Sequence, residues 1–352
     1  MKHLFLCVIL LSVICVTSVY SAQVNAFIYH RFDETRYPST NISADTFTQQ
    51  LEYLKKMKIE VVTLGDVATR LTEERQLPDH AASISIDDAF RSFYDVGMPI
   101  IRHYGLSVTL FVNTDSVGTS GYLNWEEIKE LAAEGVEIGN HTASHPYLVE
   151  MQPEETFSQW QKRIKDDIEK AQQQFVKNLG FKPDLFAYPY GEYSSAVVAI
   201  IQGLGFKVAF SQQSGVIFSG LNHFMLPRFP MGGPFATLDG FKSKFSMQPL
   251  QVFAESPDDP VIQENPPVLY FQVQGDGQKT DPQRFNCFVQ GENRCWVEAD
   301  ATRNPDGYKI VAEKPLTGRR NKYTLTLQTK QGDWLWYSHL WVNAKKQAQK
   351  EE

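Results

Sequence analysis

Ser83-Ile84-Ser85-Ile86-Asp87-Asp88-Ala89-Phe90 reads as a short apolar strand that runs into two adjacent acids. Around it, from Gln23 to about Gln248, short apolar runs alternate with helical patterns. Val24–Tyr29, Leu106–Val112, Val136–Gly139, Phe186–Tyr188 and Phe206–Phe210 read as strands. Phe47–Met57, Pro99–Tyr104, Trp125–Ala133, Pro153–Leu179 and Ala196–Leu204 read as helices, with Asn124 as a cap and Gly105, Gly135 and Gly180 as stops. A repeated strand-then-helix order predicts an α/β fold with a mainly parallel sheet or barrel. Barrel enzymes build their sites at the carboxyl ends of strands, where Asp87 and Asp88 stand. One of two adjacent acids can bind a cation while the other handles protons. An acid pair capping a helix is the structural alternative.

Two further clusters follow strands in the same way. His141-Thr142-Ala143-Ser144-His145 places two of the chain's eight histidines four residues apart. That spacing lets both face one metal if the segment turns helically; a plain pair of loop histidines is the alternative. With Asp88 they make a His-His-Asp set that leaves positions open for water and substrate, as a catalytic metal site requires. Such a set accepts zinc, cobalt or nickel, with zinc the default. Phe186-Ala187-Tyr188-Pro189-Tyr190-Gly191 is a stiffened turn whose backbone N–H can face an oxyanion.

The remainder bounds compartment and partners. Lys2 and His3, then the apolar run Leu4–Val19 and small residues to Ala22, have the build of a secretory signal peptide over residues 1–22. An exported protein, periplasmic or extracellular, is expected, with no membrane span once the signal is cut. The net charge of −7 argues against nucleic acid as a partner. Beyond the barrel region 23–248, residues 249–267 are rich in proline and acids and read as a linker. Residues 268–344 read as a separate β-sandwich of about 80 residues, followed by a charged tail over 345–352. Cys287 and Cys295 are expected to close a hairpin by a disulfide. Strand alternation puts Trp334 and Trp336 on one face, either in a core or ready to stack on sugar rings. Lys309, Lys314, Arg319, Arg320 and Lys322 read as scattered solvated charge.

Taken in order and spacing, the Asp87-Asp88, His141-Thr142-x-x-His145 and Pro189-Tyr190-Gly191 elements resemble the polysaccharide deacetylases of the NodB-homology family, carbohydrate esterase family 4, over about residues 23–248. The resemblance implies a distorted (β/α) barrel. It also implies a divalent metal held by Asp88, His141 and His145, with Asp87 as catalytic base and an N-acetylglucosamine-containing polysaccharide as substrate. The chain departs from commoner members in having Ala187 where they carry an arginine. It also lacks their late histidine motif: here the region reads Leu226-Pro227-Arg228-Phe229-Pro230. Tyr29-His30-Arg31-Phe32, after the first strand, is similar to the branch acting on poly-β-1,6-N-acetylglucosamine, in which a histidine at that place is the acid. On that resemblance His30 is the expected general acid, and Arg228 is expected to replace the missing arginine in orienting Asp87. Deacetylation of chitin oligomers or peptidoglycan, and an inactive glycan-binding protein, are the alternative readings.

Overall fold

The structure is a computed structural model that describes residues 22–274, 280–289, 294–300 and 306–344. The expected signal residues before Ala22, the charged tail, the turns Gly275–Gly277 and Gly291–Asn293, and Asn304 and Pro305 lie outside the described residues. The first half of the chain supplies β1 (Val24–Tyr29), a two-residue ribbon of β2 (Arg31–Phe32) and β3 (Asn41–Ile42), then β4 (Ala81–Asp87), β5 (Thr109–Val112), β6 (Glu137–Asn140), β7 (Leu185–Ala187), β8 (Val208–Phe210) and β9 (Phe229–Pro230). Seven of these form one parallel sheet in the order β8-β7-β6-β5-β4-β1-β9. Isolated bridges Phe210↔Leu226 and Val24↔Ile217 tie the segment 217–226 to β8 and to β1. The result is a curled parallel sheet of the expected (β/α) type.

Helices follow the strands: α1 (Ala44–Lys56), α2 (Leu64–Thr72), α3 (Met98–Tyr104), α4 (Trp125–Ala133), α5 (Phe157–Leu179), α6 (Ser195–Gly203) and α7 (Leu238–Phe245). Their ends are written locally. Asn124 and Glu127 form a reciprocal capping box on α4, and Thr156 and Gln159 form one on α5. Gly105 and Gly180 end α3 and α5 at positive φ. The capping by Thr156 starts α5 at Phe157, after the expected Pro153. Helices α2 and α7 were not anticipated.

Strand β4 shows how the sheet aims its chemistry. It is buried along its whole length. A period of two sends Ile84 and Ile86 into the core with Phe27, Tyr29 and Leu110. Each such burial stabilises the fold by about 1.5–3 kcal/mol. The same period turns Ser83, Ser85 and Asp87 to the other face, where polar groups need partners.

The later chain forms β10 (Gln248–Pro249), β11 (Val252–Ser256), β12 (Val268–Val273), β13 (Phe285–Val289), β14 (Cys295–Ala299), β15 (Tyr308–Ala312), β16 (Arg320–Gln328) and β17 (Trp334–Val342). They make two four-stranded sheets, β10-β17-β16-β13 and β11-β12-β15-β14. Leu325, Leu327 and Trp341 of the first share one apolar cluster with Leu269, Phe271 and Ile310 of the second. Two expectations change here. Part of the stretch read as a linker is woven into the sheets: β11 pairs with β12, and Val261 bridges Val342. Cys287 and Cys295 are disulfide-bonded with Cα atoms 5.6 Å apart, but their strands do not pair in a hairpin. They lie on edge strands of different sheets, so the bond staples sheet to sheet. Trp334 is exposed at one end of β17, whereas Trp336 packs 5.6 Å from Phe229 of β9 and donates its indole N–H to the Ser214 carbonyl.

Candidate metal-dependent hydrolytic site

The carboxyl ends of β1, β4, β6 and β7 converge on one place. Asp87 ends β4, with Asp88 next in the chain. His141 follows β6, and Pro189-Tyr190-Gly191 follows β7. His30 follows β1, whose Tyr29 is in register with Ile86, so it stands beside Asp87 in the strand order. The His141–His145 segment does not turn helically as expected. It is a loop in which Thr142 and His145 have φ of 67° and 55°. That loop is pinned by the Asp167 carboxylate, which accepts from the Ala143 N–H at 2.9 Å and the Ser144 hydroxyl at 2.6 Å. Asp88, Ala89 and Tyr190 also have positive φ. Left-handed non-glycine residues are costly and persist where surroundings over-determine them.

One oxygen of Asp88 and the Nε2 atoms of His141 and His145 fit a cation. The three donor atoms lie within 4.8 Å of one another. His145 Nε2 is 3.2 Å from His141 Nε2, and Asp88 Oδ1 is 3.3 and 3.5 Å from them. His141 Nδ1 lies 2.8 Å from the Ala187 carbonyl. That contact fixes Nδ1 as the protonated nitrogen and leaves the Nε2 lone pair facing the other ligands. Burial pushes both imidazoles down to about 4, so both are neutral at pH 7. Asp88 Oδ1 is buried yet accepts no hydrogen bond. Buried acceptors are normally satisfied, and a divalent ion would satisfy this one. Burial also raises the Asp88 carboxyl above its ordinary value.

Asp87 has a different environment. Arg228, just before β9 and fully buried, donates from Nη1 to Oδ1 at 2.7 Å and from Nη2 to Oδ2 at 2.9 Å. Its remaining donors reach the Ser85 hydroxyl and the Ser211 carbonyl, each at 3.1 Å. Burial alone would raise the Asp87 carboxyl. Arg228, His141 and His30 outweigh it and hold the group below its ordinary value. Asp87 is thus an ionised, rigidly oriented carboxylate 3.9 Å from His141 Nε2.

Residues not singled out in the sequence complete the rim. Tyr147 stacks on Tyr190 with ring centres 4.0 Å apart, and the edge of Tyr190 meets His145 at 4.5 Å. Glu192, directly after the Pro189-Tyr190-Gly191 turn, is fully buried and paired with Arg319. An acid immediately after a turn that follows a strand was the available signal.

Comparison with known proteins agrees with this geometry. Residues 74–209 match the polysaccharide deacetylase family. The poly-beta-1,6-N-acetyl-D-glucosamine N-deacetylase of Staphylococcus aureus is 24% identical over 210 residues, covering 58% of this chain and 72% of that protein. Among solved structures, the Streptococcus pyogenes deacetylase PplD in complex with acetate superposes with a TM-score of 0.57 at 20% identity, over 64% of this chain and 99% of that one. IcaB from Ammonifex degensii gives 0.56 at 23% identity, over 64% and 97%. These two structures share the fold of the barrel. The matched family region runs from before β4 into β8 and holds Asp88, His141 and His145, so this part of the chain is similar to polysaccharide deacetylases in both sequence and fold.

Proposed function

We propose that the protein is a metal-dependent N-deacetylase that releases acetate from an N-acetylglucosamine polysaccharide, with β-1,6-linked N-acetylglucosamine the first choice of linkage. One observation carries the reading: an Asp88-His141-His145 donor set stands beside an aspartate, Asp87, that a buried arginine keeps ionised. A glycan-binding protein without activity has no use for that pairing. The relatives named for poly-β-1,6-N-acetylglucosamine support the linkage.

When bound, the divalent cation, zinc by default, polarises the acetamide carbonyl and acidifies water. Asp87 takes the proton from the attacking water at a carboxylate oxygen. Arg228 holds that carboxylate in one orientation throughout. The Tyr190 backbone N–H donates to the oxygen that gains charge. His30 gives a proton to the leaving nitrogen, because an amine leaves poorly until protonated. Residues 1–22 serve as an export signal, and residues 268–344 act as a sandwich-type accessory module beside the barrel. No helix of the described residues is long and apolar enough to cross a membrane.

The test is acetate release from β-1,6-linked N-acetylglucosamine oligomers by the chain from Gln23 to Glu352. A chelator should abolish release and zinc should restore it. Asp87→Asn should lower it by about 10²–10⁴-fold while zinc still binds. Release from chitin or peptidoglycan fragments alone would overturn the linkage. No release from any of the three, with zinc bound, would overturn the enzyme reading.

A further inference from the structure

Two basic residues expected at the solvent enter the rim of the site instead. Arg319, one residue before β16, is only 7% exposed. Its Nε and Nη2 donate to the two carboxylate oxygens of Glu192, each at 2.9 Å. Its Nη1 donates to Glu150 at 3.0 Å, and its guanidinium carbon lies 4.0 Å from the centre of the Tyr147 ring. Arg320 donates to the Tyr190 carbonyl at 3.1 Å and lies 5.5 Å from the centre of that ring.

Glu150 belongs to the loop that leaves His145, and Glu192 follows the Pro189-Tyr190-Gly191 turn. One guanidinium therefore ties together the two loops that carry a cation ligand and the oxyanion donor. A bidentate guanidinium–carboxylate pair fixes orientation as well as distance. Tyr190 needs such support, because its φ of 58° is unfavourable for a side chain that large. Its carbonyl is held by Arg320, its successor's successor by Arg319, and its ring between Tyr147 and His145. If the tether is cut, the turn can relax, and the Tyr190 N–H and the His145 ring shift with it.

We infer that Arg319 and Arg320 are positioning residues for the deacetylase reaction, so that the C-terminal sheets form part of the active site rather than an appended glycan-binding unit. The inference rests on the function proposed above, and it also predicts behaviour of the substrate-free chain.

The test uses the whole chain from Gln23 as wild type, Arg319→Ala, Arg319→Lys and Leu340→Ala. Leu340, on β17, shares an apolar cluster with Val197 and Ile201 of α6. Truncating it loosens docking alone. Arg319→Ala should lower kcat about tenfold with KM within twofold, and weaken zinc binding, read by calorimetry without substrate, by about tenfold. Amide exchange at Gly191 and Glu192 should quicken. Arg319→Lys should recover part of each change. Leu340→Ala should lower the melting temperature and leave kcat, zinc affinity and exchange at those amides in place. Wild-type zinc affinity and exchange in Arg319→Ala would overturn the inference, as would a Leu340→Ala variant that reproduces every Arg319→Ala effect. A wild-type chain that releases no acetate would sink the proposed function instead, and the calorimetry and exchange would still decide this inference.

Discussion

Two buried arginines hold two buried carboxylates in this molecule, and the outcomes are opposite. Arg228 grips Asp87 inside the barrel at 2.7 and 2.9 Å. Arg319 grips Glu192 between the barrel and the C-terminal sheets at 2.9 Å twice. Asp87 is held below its ordinary pKa, whereas Glu192, pushed first by burial, stays above its own. The neighbours decide. Asp87 has His141 and His30 adding to its arginine, while Glu192, which Arg320 also favours, shares Arg319 with the opposing charge of Glu150. The same two-pronged contact therefore holds one carboxyl below its ordinary pKa and leaves the other above it, which suits the base and the tether proposed for them.

Arg228→Ala should produce the largest effect. It strands a buried carboxylate, which costs about 3–5 kcal/mol of stability. Burial, now unopposed by Arg228, moves the Asp87 pKa up. The base must be ionised, so the acid limb of the pH–rate profile should shift to higher pH. A variant whose acid limb stays in place would mean that Arg228 does not set Asp87, and the contrast with Arg319 would collapse.

A smaller effect separates the pairs by titration in the unaltered protein. Carboxyl carbon shifts followed by NMR should show Glu192 protonating above the usual glutamate value and Asp87 below the usual aspartate value as pH falls. Asp87's depressed value means that its contribution to stability is present above the unfolded pKa and is lost as pH falls through the folded one. The Glu192 tether should loosen first on acidification, while the base is still charged. The reverse order would assign the roles the wrong way round. Smallest of all, Lys309→Ala removes a pair with Glu298 on the same C-terminal sheets, where both side chains are well exposed. The melting temperature should barely move, because an exposed ion pair is screened by solvent, and acetate release should not change at all. A loss of activity there would show that charge on this module acts generally rather than through Arg319.

The sequence was legible where chemistry sits next to a strand end. Asp87, Asp88, His141 and Pro189-Tyr190-Gly191 each follow an apolar run, and parallel strands bring such ends together. Arg228 was reachable because the usual arginine was missing and another lay in a turn late in the barrel. Arg319 was not. Its partner Glu192 is 127 residues away, and a lone arginine at a strand start reads as surface charge unless the pairing is seen. The disulfide was legible as a bond but not as a link between sheets, because strand neighbours are set by sheet topology. Residues 252–256 looked like linker because Pro257 and the acids after it mask a strand that pairs 14 residues later, with β12.

The place of Arg319 in the chain has a consequence for how the protein is made. The chain carries Asp88, His141 and His145 first and Tyr190 soon after, but Arg319, which fastens the rim, comes 127 residues behind Glu192. Until the late strands dock, the donor set stands with its rim unfastened. On the inference above, the last strands to dock complete the site, so assembly of the C-terminal sheets onto the barrel is the step that readies it.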